Sequence, residues 1–262
     1  MAPFILTVRP EPDCSLAVAA LDRRSVPALA GPLMKSVTIP NSGDPASNDP
    51  AIDIPHPSQL GGLVFTSRHA VSGLVAALNS ADLGGTNWAK LPVFSVGHAT
   101  ARAAMAAGFA NPVIGQGGGA GLVPAIRRKM EGNPAPLFWP AAKDRSFDMA
   151  AALAPDFKVI MRPVYRMQPV GRLPDAVLDA LAYGRILAVI LMSPRSAELF
   201  CQQLAENGMD HCRPEIMIIA GSDSIAAAAG EGWRQIFTAK RPTRARLLAI
   251  ASLVYHRRAN WA

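Results

Sequence analysis

The residues in this sequence best suited to chemistry are basic side chains that stand near the ends of predicted strands. They are Arg9, Arg68, Lys143, Arg145 and Arg195. Lys and Arg number 26 against 19 Asp and Glu, which gives a formal charge of +7. A cleft lined by such residues concentrates positive potential and attracts anions. Taken one at a time, each of these residues is better explained as a solvated surface residue, so the prediction of an anion site rests on the group.

Serine and glycine turns supply further polar groups at the same strand ends. Ser67 and Ser193 each stand between a predicted strand and a predicted helix, where a serine oxygen accepts a hydrogen bond from a free backbone N–H. Ser224 lies in a similar turn. As helix caps these serines need no ligand, and capping is the simpler interpretation of each. Another predicted helix begins at Gly97, His98, Ala99 and Thr100. Its free N–H groups and positive dipole end can bind a carboxylate.

The elements that must position these residues occur twice along the chain. The segment around Ser67 is repeated around Ser193, and the segment around Gly97 is repeated around Gly221, in the same order and with nearly the same spacing. Thr100 then corresponds to Ser224. Self-similarity on this scale indicates two copies of one folding unit.

Each copy has the pattern of a strand, a polar turn and a helix. Apolar runs at residues 63–65 and 189–191 are short and continuous, which is typical of strands buried on both faces of a parallel sheet. Apolar residues at helical spacing follow each run. The sequence therefore predicts an α/β fold of two similar doubly wound parallel-sheet domains, with about five strands each and ligands at the carboxyl ends of the strands.

Two proline-rich breaks predict where the chain passes between the domains. Residues 40–59 hold five prolines among Asn, Ser and Asp, and residues 168–174 hold Pro169, Gly171 and Pro174. If both breaks are crossings, the first and last parts of the chain form one domain and the middle part is inserted into it. The pattern alone equally allows two consecutive domains.

Several other classes of protein are excluded on the sequence. No apolar run approaches the roughly 18 residues of a membrane span, and the start has no basic region before its apolar stretch, so we expect neither membrane insertion nor a signal peptide. Only 6% of the residues are aromatic and none is interleaved with the basic groups, which argues against nucleic acid as partner. We expect a cytoplasmic protein.

Metal, disulfide and nucleotide sites are not predicted either. The three cysteines, Cys14, Cys201 and Cys212, lack metal-binding spacing and are interpreted as reduced structural residues. The five histidines are scattered without helical pairing. The glycine-rich segment at residues 115–121 lacks the lysine of a phosphate-binding loop and is predicted to be a flexible turn.

Five segments together resemble the uroporphyrinogen-III synthase family. They are LTVRP near the start, FTSRHAV and MSPRSAE at the paired turns, VGHATARAAMAAG, and RPVYRM before the second break. The resemblance implies one domain inserted into another and joined to it by a two-stranded linker: residues 1–40 with 172–262, and residues 41–171. It also implies a lyase that closes hydroxymethylbilane, a linear tetrapyrrole polycarboxylate, into uroporphyrinogen III while inverting the last pyrrole ring. No cofactor or metal is implied, and we expect a monomer.

The resemblance also gives roles to particular residues. It places a family tyrosine, a candidate general acid, at Tyr165, which is otherwise explained as a strand residue with a packed ring. Ser67, Ser193 and Ser224 are similar to family hydroxyls, and Arg9 and Arg145 are expected to bind substrate carboxylates. The chain departs from the family pattern in having Arg68 and His69 after the first turn serine, and in having Asp223 in the last turn.

A function without catalysis is the alternative. A cytoplasmic two-lobed protein that binds a small anion or a phosphosugar would share the duplicated α/β pattern and the Ser/Thr-rich turns. Fold analogy does not separate the two, because function resides in sites.

Overall fold

The computed structural model describes residues 2–40, 42, 53–81, 83, 87–116, 118–145, 147–239 and 243–257. Most of the proline-rich break at residues 40–59 and one glycine of the 115–121 segment therefore lie outside the described residues. Contacts divide the chain into two compact units. The first unit combines Met1–Lys35 with Gln168–Ala262, and the second is Ser36–Met167.

Strands and helices alternate along most of the described chain. The strands are β1 (Phe4–Thr7), β2 (Ala28–Ala30), β3 (Met34–Thr38), β4 (Gly62–Phe65), β5 (Val93–Ser95), β6 (Val113–Ile114), β7 (Leu137–Ala142), β8 (Val159–Pro169), β9 (Ile186–Leu191), β10 (Met217–Ala220) and β11 (Gln235–Thr238). The α-helices are α1 (Asp13–Asp22), α2 (Arg68–Ser80), α3 (His98–Ala106), α4 (Gly118–Lys129), α5 (Met149–Leu153), α6 (Asp175–Ala182), α7 (Pro194–Glu206), α8 (Asp223–Ala229) and α9 (Arg244–His256).

The first unit contains a five-stranded parallel sheet in the order β11-β10-β9-β1-β2. Its central strands are buried on both faces because successive side chains point to opposite sides of a strand. Leu6 packs with Phe200 of α7 on one face, and Ile5 packs with Leu247 of α9 on the other. This two-sided burial explains the continuous apolar runs in the sequence.

The second unit contains a six-stranded sheet in the order β3-β8-β7-β4-β5-β6. The pairs from β8 to β6 are parallel. Phe65 packs with Leu74 of α2 on one face, and Val64 packs with Ile126 of α4 on the other. The predicted class, two doubly wound α/β sheets, is confirmed. The sixth strand was not predicted and arises because β3 lies along the long strand β8; the chain passes between the units within these two strands.

Helix α2 lies unusually close to β8. A Cβ atom added to Gly73 would lie 2.7 Å from the carbonyl oxygen of Val164 and 2.9 Å from one of its methyl carbons. Only a residue without a side chain allows the helix backbone to approach the strand backbone at this point. Gly73 therefore sets the distance between α2 and the part of β8 that contains Tyr165.

The glycine-rich segment differs from the flexible turn predicted for it. Helix α4 begins at Gly118, so the later glycines form the first turn of a regular helix. Glycine is needed in this helix turn, because a Cβ atom at Gly119 would lie 2.5 Å from the Phe147 ring and one at Gly121 would overlap the Gln116 carbonyl. Among the described residues, no helix has the length and apolar character needed to cross a membrane.

Candidate functional site

The second unit has a pocket of about 290 Å³ at the carboxyl ends of its parallel strands. Its wall includes residues that follow four strands, namely Thr66 after β4, Val96 after β5, Gly118 after β6 and Arg145 after β7. Tyr165 also lines it, from within β8 at the level where β7 ends. Ligands of open α/β sheets bind at this edge, because there the strand-to-helix turns converge. The pocket therefore lies where the sequence predicted a ligand site.

A bulge in β8 positions Tyr165 in this pocket. Ala141 of β7 pairs with Pro163, but Ala142 pairs with Tyr165, so Val164 is an extra residue in the ladder. A bulge of this kind re-aims the side chains beside it. The backbone is held by a 2.8 Å hydrogen bond that the Lys143 N–H donates to the Tyr165 carbonyl oxygen. The Tyr165 side chain reaches the pocket although the residue is only 7% exposed.

The Tyr165 phenol is held in its protonated form. Burial raises the pKa of the phenol above its ordinary value of 10.0, and a hydrogen bond with the Ser67 side chain acts in the opposite direction. The net effect of these two causes is a raised pKa. Because a phenol with a pKa above 10 keeps its proton at neutral pH, Tyr165 can donate a hydrogen bond to a bound group.

Ser67 has the capping geometry that the sequence predicted. It is the N-cap of α2, and its hydroxyl oxygen accepts a hydrogen bond from the His69 N–H at 3.1 Å. The imidazole ring of His69 packs against the Tyr165 ring, with 5.7 Å between ring centroids and a tilt of 42°. One helix turn thus contacts both the hydroxyl and the ring of Tyr165.

Arg145 places a positive charge at the wall of the same pocket. Its guanidinium carbon lies 5.6 Å from the centre of the Trp139 ring, a cation–π arrangement, and Nη1 donates to the Lys143 carbonyl oxygen at 3.2 Å. The Trp139 indole N–H donates in turn to the Thr66 hydroxyl at 3.2 Å. Arg145 itself is exposed, so its charge is accessible to an anion.

The turn before α3 also borders the pocket, next to Val96. Gly97 is the N-cap of α3 and His98 its first residue, as predicted. An atom added at the Cα of Gly97 would meet nothing within 4 Å, so the helix start is open to a ligand. His98 and Ala99 are exposed. Thr100 lies within the first turn of the helix and is 6% exposed.

The first unit carries the other predicted site residues at the corresponding edge of its sheet. Ser193 is the N-cap of α7, and its hydroxyl accepts from the Ser196 N–H at 3.1 Å. The prediction that Ser224 caps a helix is wrong, because Ser222 holds the N-cap position of α8. Ser224 is the second residue of that helix, with its hydroxyl 2.9 Å from that of Ser222. Helix α8 therefore begins two residues earlier than a cap at Ser224 would place its start.

Arg9 follows β1 and is already paired with a carboxylate. Its Nη2 lies 2.7 Å from an oxygen of Asp13. Burial lowers the pKa of the Arg9 guanidinium, and the nearby Arg244 lowers it further, but an arginine stays charged in proteins. Any anion bound here would share the arginine with Asp13.

The structure brings together the predicted residues of each unit. Tyr165, Ser67, Arg145 and the Gly97 turn lie at the edge of the second sheet, while Arg9, Ser193 and Ser224 lie at the edge of the first. No role is predicted from the sequence for His69, Trp139 or Thr66. The place of His69 in the first turn of a capped helix was the only local signal for it; for Trp139 and Thr66 we find none, since their contact spans 73 residues.

Thiol and metal chemistry find no support in the described part of the chain. Burial raises the pKa of the Cys14 thiol to about 11, and its sulfur donates to the Thr7 carbonyl oxygen, so the thiol stays protonated at neutral pH. All three cysteines are free. Among the described residues, no three His, Cys, Asp or Glu side chains converge on a point that could hold a metal ion.

The Ser193 cap gives a stability prediction with a matched control. Ser193→Ala should lower the free energy of unfolding by about 1 kcal/mol, because it leaves the Ser196 N–H without its cap. Ser222→Ala at the equivalent cap position should cost less than half of this, since the Ser222 side chain makes no capping hydrogen bond. Urea unfolding of both variants measures the difference. Equal losses would contradict the capping geometry.

Two doubly wound α/β units, each with polar turns at the carboxyl ends of its strands, give this chain the architecture of the many α/β proteins that bind ligands at this edge of a sheet. A family model described as Uroporphyrinogen-III synthase HemD matches residues 16–249. The chain therefore belongs to the uroporphyrinogen-III synthase family.

Solved structures agree with this assignment at the level of fold. The uroporphyrinogen-III synthetase of Helicobacter pylori is 17% identical with a TM-score of 0.59, over 96% of this chain and 98% of that one. A mutant uroporphyrinogen III synthase of Thermus thermophilus is 16% identical with a TM-score of 0.50, over 97% and 99%. At such identities the likeness establishes the fold alone. No curated protein sequence matches the chain significantly.

Proposed function

We propose that this chain is the enzyme of tetrapyrrole synthesis that closes hydroxymethylbilane into uroporphyrinogen III. The reaction removes water and inverts the last pyrrole ring through a spiro intermediate. The observation that carries this proposal is the family match over residues 16–249. The match does not favour the alternative, a non-catalytic protein that binds a small anion or a phosphosugar.

Tyr165 is the proton donor in this proposal. The hydroxyl of the terminal hydroxymethyl group leaves as water when a proton reaches its oxygen, and the electron-rich pyrrole stabilises the methylene cation that remains. The substituted carbon of the last ring then attacks to give the spiro intermediate, which fragments and recloses with that ring inverted. Support for this role comes from the protonated phenol of Tyr165 in the pocket wall; a positioned proton donor typically contributes about 10²- to 10⁴-fold in rate.

The remaining site residues bind carboxylates of the substrate. Arg145 offers an accessible guanidinium beside the pocket, and the N–H groups at the start of α3, around Gly97, His98, Ala99 and Thr100, offer a helix dipole. Ser67 hydrogen-bonds with the donor. Arg9, Ser193 and Ser224 are proposed to contact carboxylates from the edge of the first sheet.

We also propose the reaction class, the oligomeric state, the location and the domain bounds of the enzyme. The loss of water makes the enzyme a hydro-lyase that needs no cofactor, and we expect a monomer with neither nucleic acid nor membrane as partner. Three free cysteines support a cytoplasmic location, because thiols persist in reducing compartments. The two domains are proposed as residues 1–40 with 172–262 and residues 41–171, joined by a two-stranded linker.

Salt should weaken substrate binding. A substrate with many carboxylates is attracted by the formal charge of +7, and exposed charges are screened beyond about 8 Å at physiological ionic strength. We expect the KM for hydroxymethylbilane to rise severalfold from low to high salt while kcat changes little. Steady-state kinetics at several salt concentrations measure this. A KM that is flat over the series would count against the basic site.

The function itself is tested by supplying hydroxymethylbilane to the purified protein. The substrate should disappear faster than it does in buffer, and the product, after oxidation, should be uroporphyrin III. A consumption rate equal to that in buffer would refute the proposal.

A further inference from the structure

We propose that His69 is a positioning residue for Tyr165: its imidazole ring, together with the Ser67 hydroxyl, fixes the orientation of the phenol within the pocket. The inference rests on the proposed function for its kinetic consequence, but the contacts that motivate it do not depend on the substrate.

The first contact fixes the hydroxyl end of Tyr165. Ser67 hydrogen-bonds with the phenol and also accepts the His69 N–H at 3.1 Å. Because the second bond is part of the N-cap of α2, the serine is held in place by the helix itself. The hydrogen-bond partner of the phenol therefore stands at the first residue before α2.

The second contact fixes the plane of the ring. His69 and Tyr165 lie 5.7 Å apart at their ring centroids with a tilt of 42°, a separation within the range of favourable aromatic pairs. A tyrosine side chain rotates about two bonds. The hydroxyl contact restrains its tip and the imidazole restrains its plane.

The third contact fixes the helix that carries both residues. Gly73 of α2 allows the backbone to lie against Val164, the residue immediately before Tyr165. This contact sets the distance between the start of α2 and the phenol. Displacing a reacting group by about 1 Å can cost about 100-fold in rate, so the geometry of α2 bears directly on proton transfer.

The kinetic test compares two substitutions at one position. His69→Ala removes the ring and should lower kcat by roughly 10- to 100-fold with little change in KM. His69→Phe keeps a ring and should retain most of kcat. Ser72→Ala, an exposed position on the same helix, is the control for general disturbance of α2 and should match the wild type. Equal losses in the alanine and phenylalanine variants, or no loss in either, would overturn the proposal.

A spectroscopic test does not require activity. Tyrosinate absorbance is measured as the pH is raised. Because the chain has only three tyrosines, the titration curve of Tyr165 is obtained by subtracting the curve of the matching protein that carries Tyr165→Phe. His69→Ala should lower the pKa of Tyr165 towards 10, since the ring gains contact with water. Ser67→Ala should raise it, since the hydrogen bond that lowers it is lost.

The two readouts separate the inference from the function. Opposite pKa shifts in the two variants would support the positioning contacts even if the wild type fails to close hydroxymethylbilane. An unchanged Tyr165 titration in His69→Ala would overturn the inference even if the wild type is fully active.

Discussion

Replacing Tyr165 with phenylalanine should lower kcat by about 10²- to 10⁴-fold, the range typical of general acid catalysis. The substitution removes one hydroxyl and keeps the ring that packs with His69. The fold should therefore survive, and circular dichroism should show an unchanged spectrum. The affinity for substrate should change less than kcat, because the phenol acts on the leaving hydroxyl rather than on the carboxylates.

The matched control for this variant is Tyr183→Phe. Tyr183 is 78% exposed and lies in the first unit, so the loss of its hydroxyl should leave kcat unchanged. If Tyr165→Phe forms uroporphyrinogen III at the wild-type rate, Tyr165 is a structural residue, and the proposed function is unaffected.

The raised pKa of Tyr165 adds a pH dependence to the same experiment. The phenol donates only in its protonated form, which predominates below its pKa. Since burial raises that pKa above 10.0, loss of the donor should appear only above about pH 10. Stability follows the same sign, because the neutral phenol favoured by the fold is lost as the pH rises through this region. A fall in kcat centred near neutral pH would have to come from another group.

Replacing Phe65 with alanine should lower the free energy of unfolding by about 3–5 kcal/mol. Phe65 is the last residue of β4, is fully buried, and packs against the Phe109 ring with 5.4 Å between centroids. Truncation removes the apolar contact and leaves a cavity beneath the turn that carries Thr66 and Ser67. Denaturant unfolding followed by circular dichroism measures the loss.

Leu253→Ala is the control for this stability change. Leu253 is 50% exposed on α9, and surface substitutions of this kind change stability by about 0.5 kcal/mol or less. A Phe65→Ala variant as stable as Leu253→Ala would contradict the packing of the second unit.

Local sequence signals predicted the fold and part of the site. The runs at residues 63–65 and 189–191 predicted buried strands because neighbouring positions on one strand face two apolar layers. Ser67 and Ser193 were predicted as caps because capping depends on residues two or three positions away. These features follow from short-range chemistry, and the duplication showed each of them twice.

Features that depend on distant residues were not predicted. The pairing of His69 with Tyr165 and that of Trp139 with Thr66 exist only once β8, β7 and β4 lie in one sheet. The bulge at Val164 has no signature of its own in the sequence. The cap of α8 was misassigned from Ser222 to Ser224 because the repeat pattern does not fix where a strand ends.

The most direct test of this account is the isomer composition of the product. Without catalysis, hydroxymethylbilane closes without ring inversion to uroporphyrinogen I, so the two isomers separate enzymatic from spontaneous closure. Substrate is mixed with wild-type protein, with heat-denatured protein and with buffer, then oxidised to porphyrin and resolved by chromatography. We predict that the type III isomer dominates only with the native wild type. A type I yield that the native protein leaves unchanged would contradict the assignment.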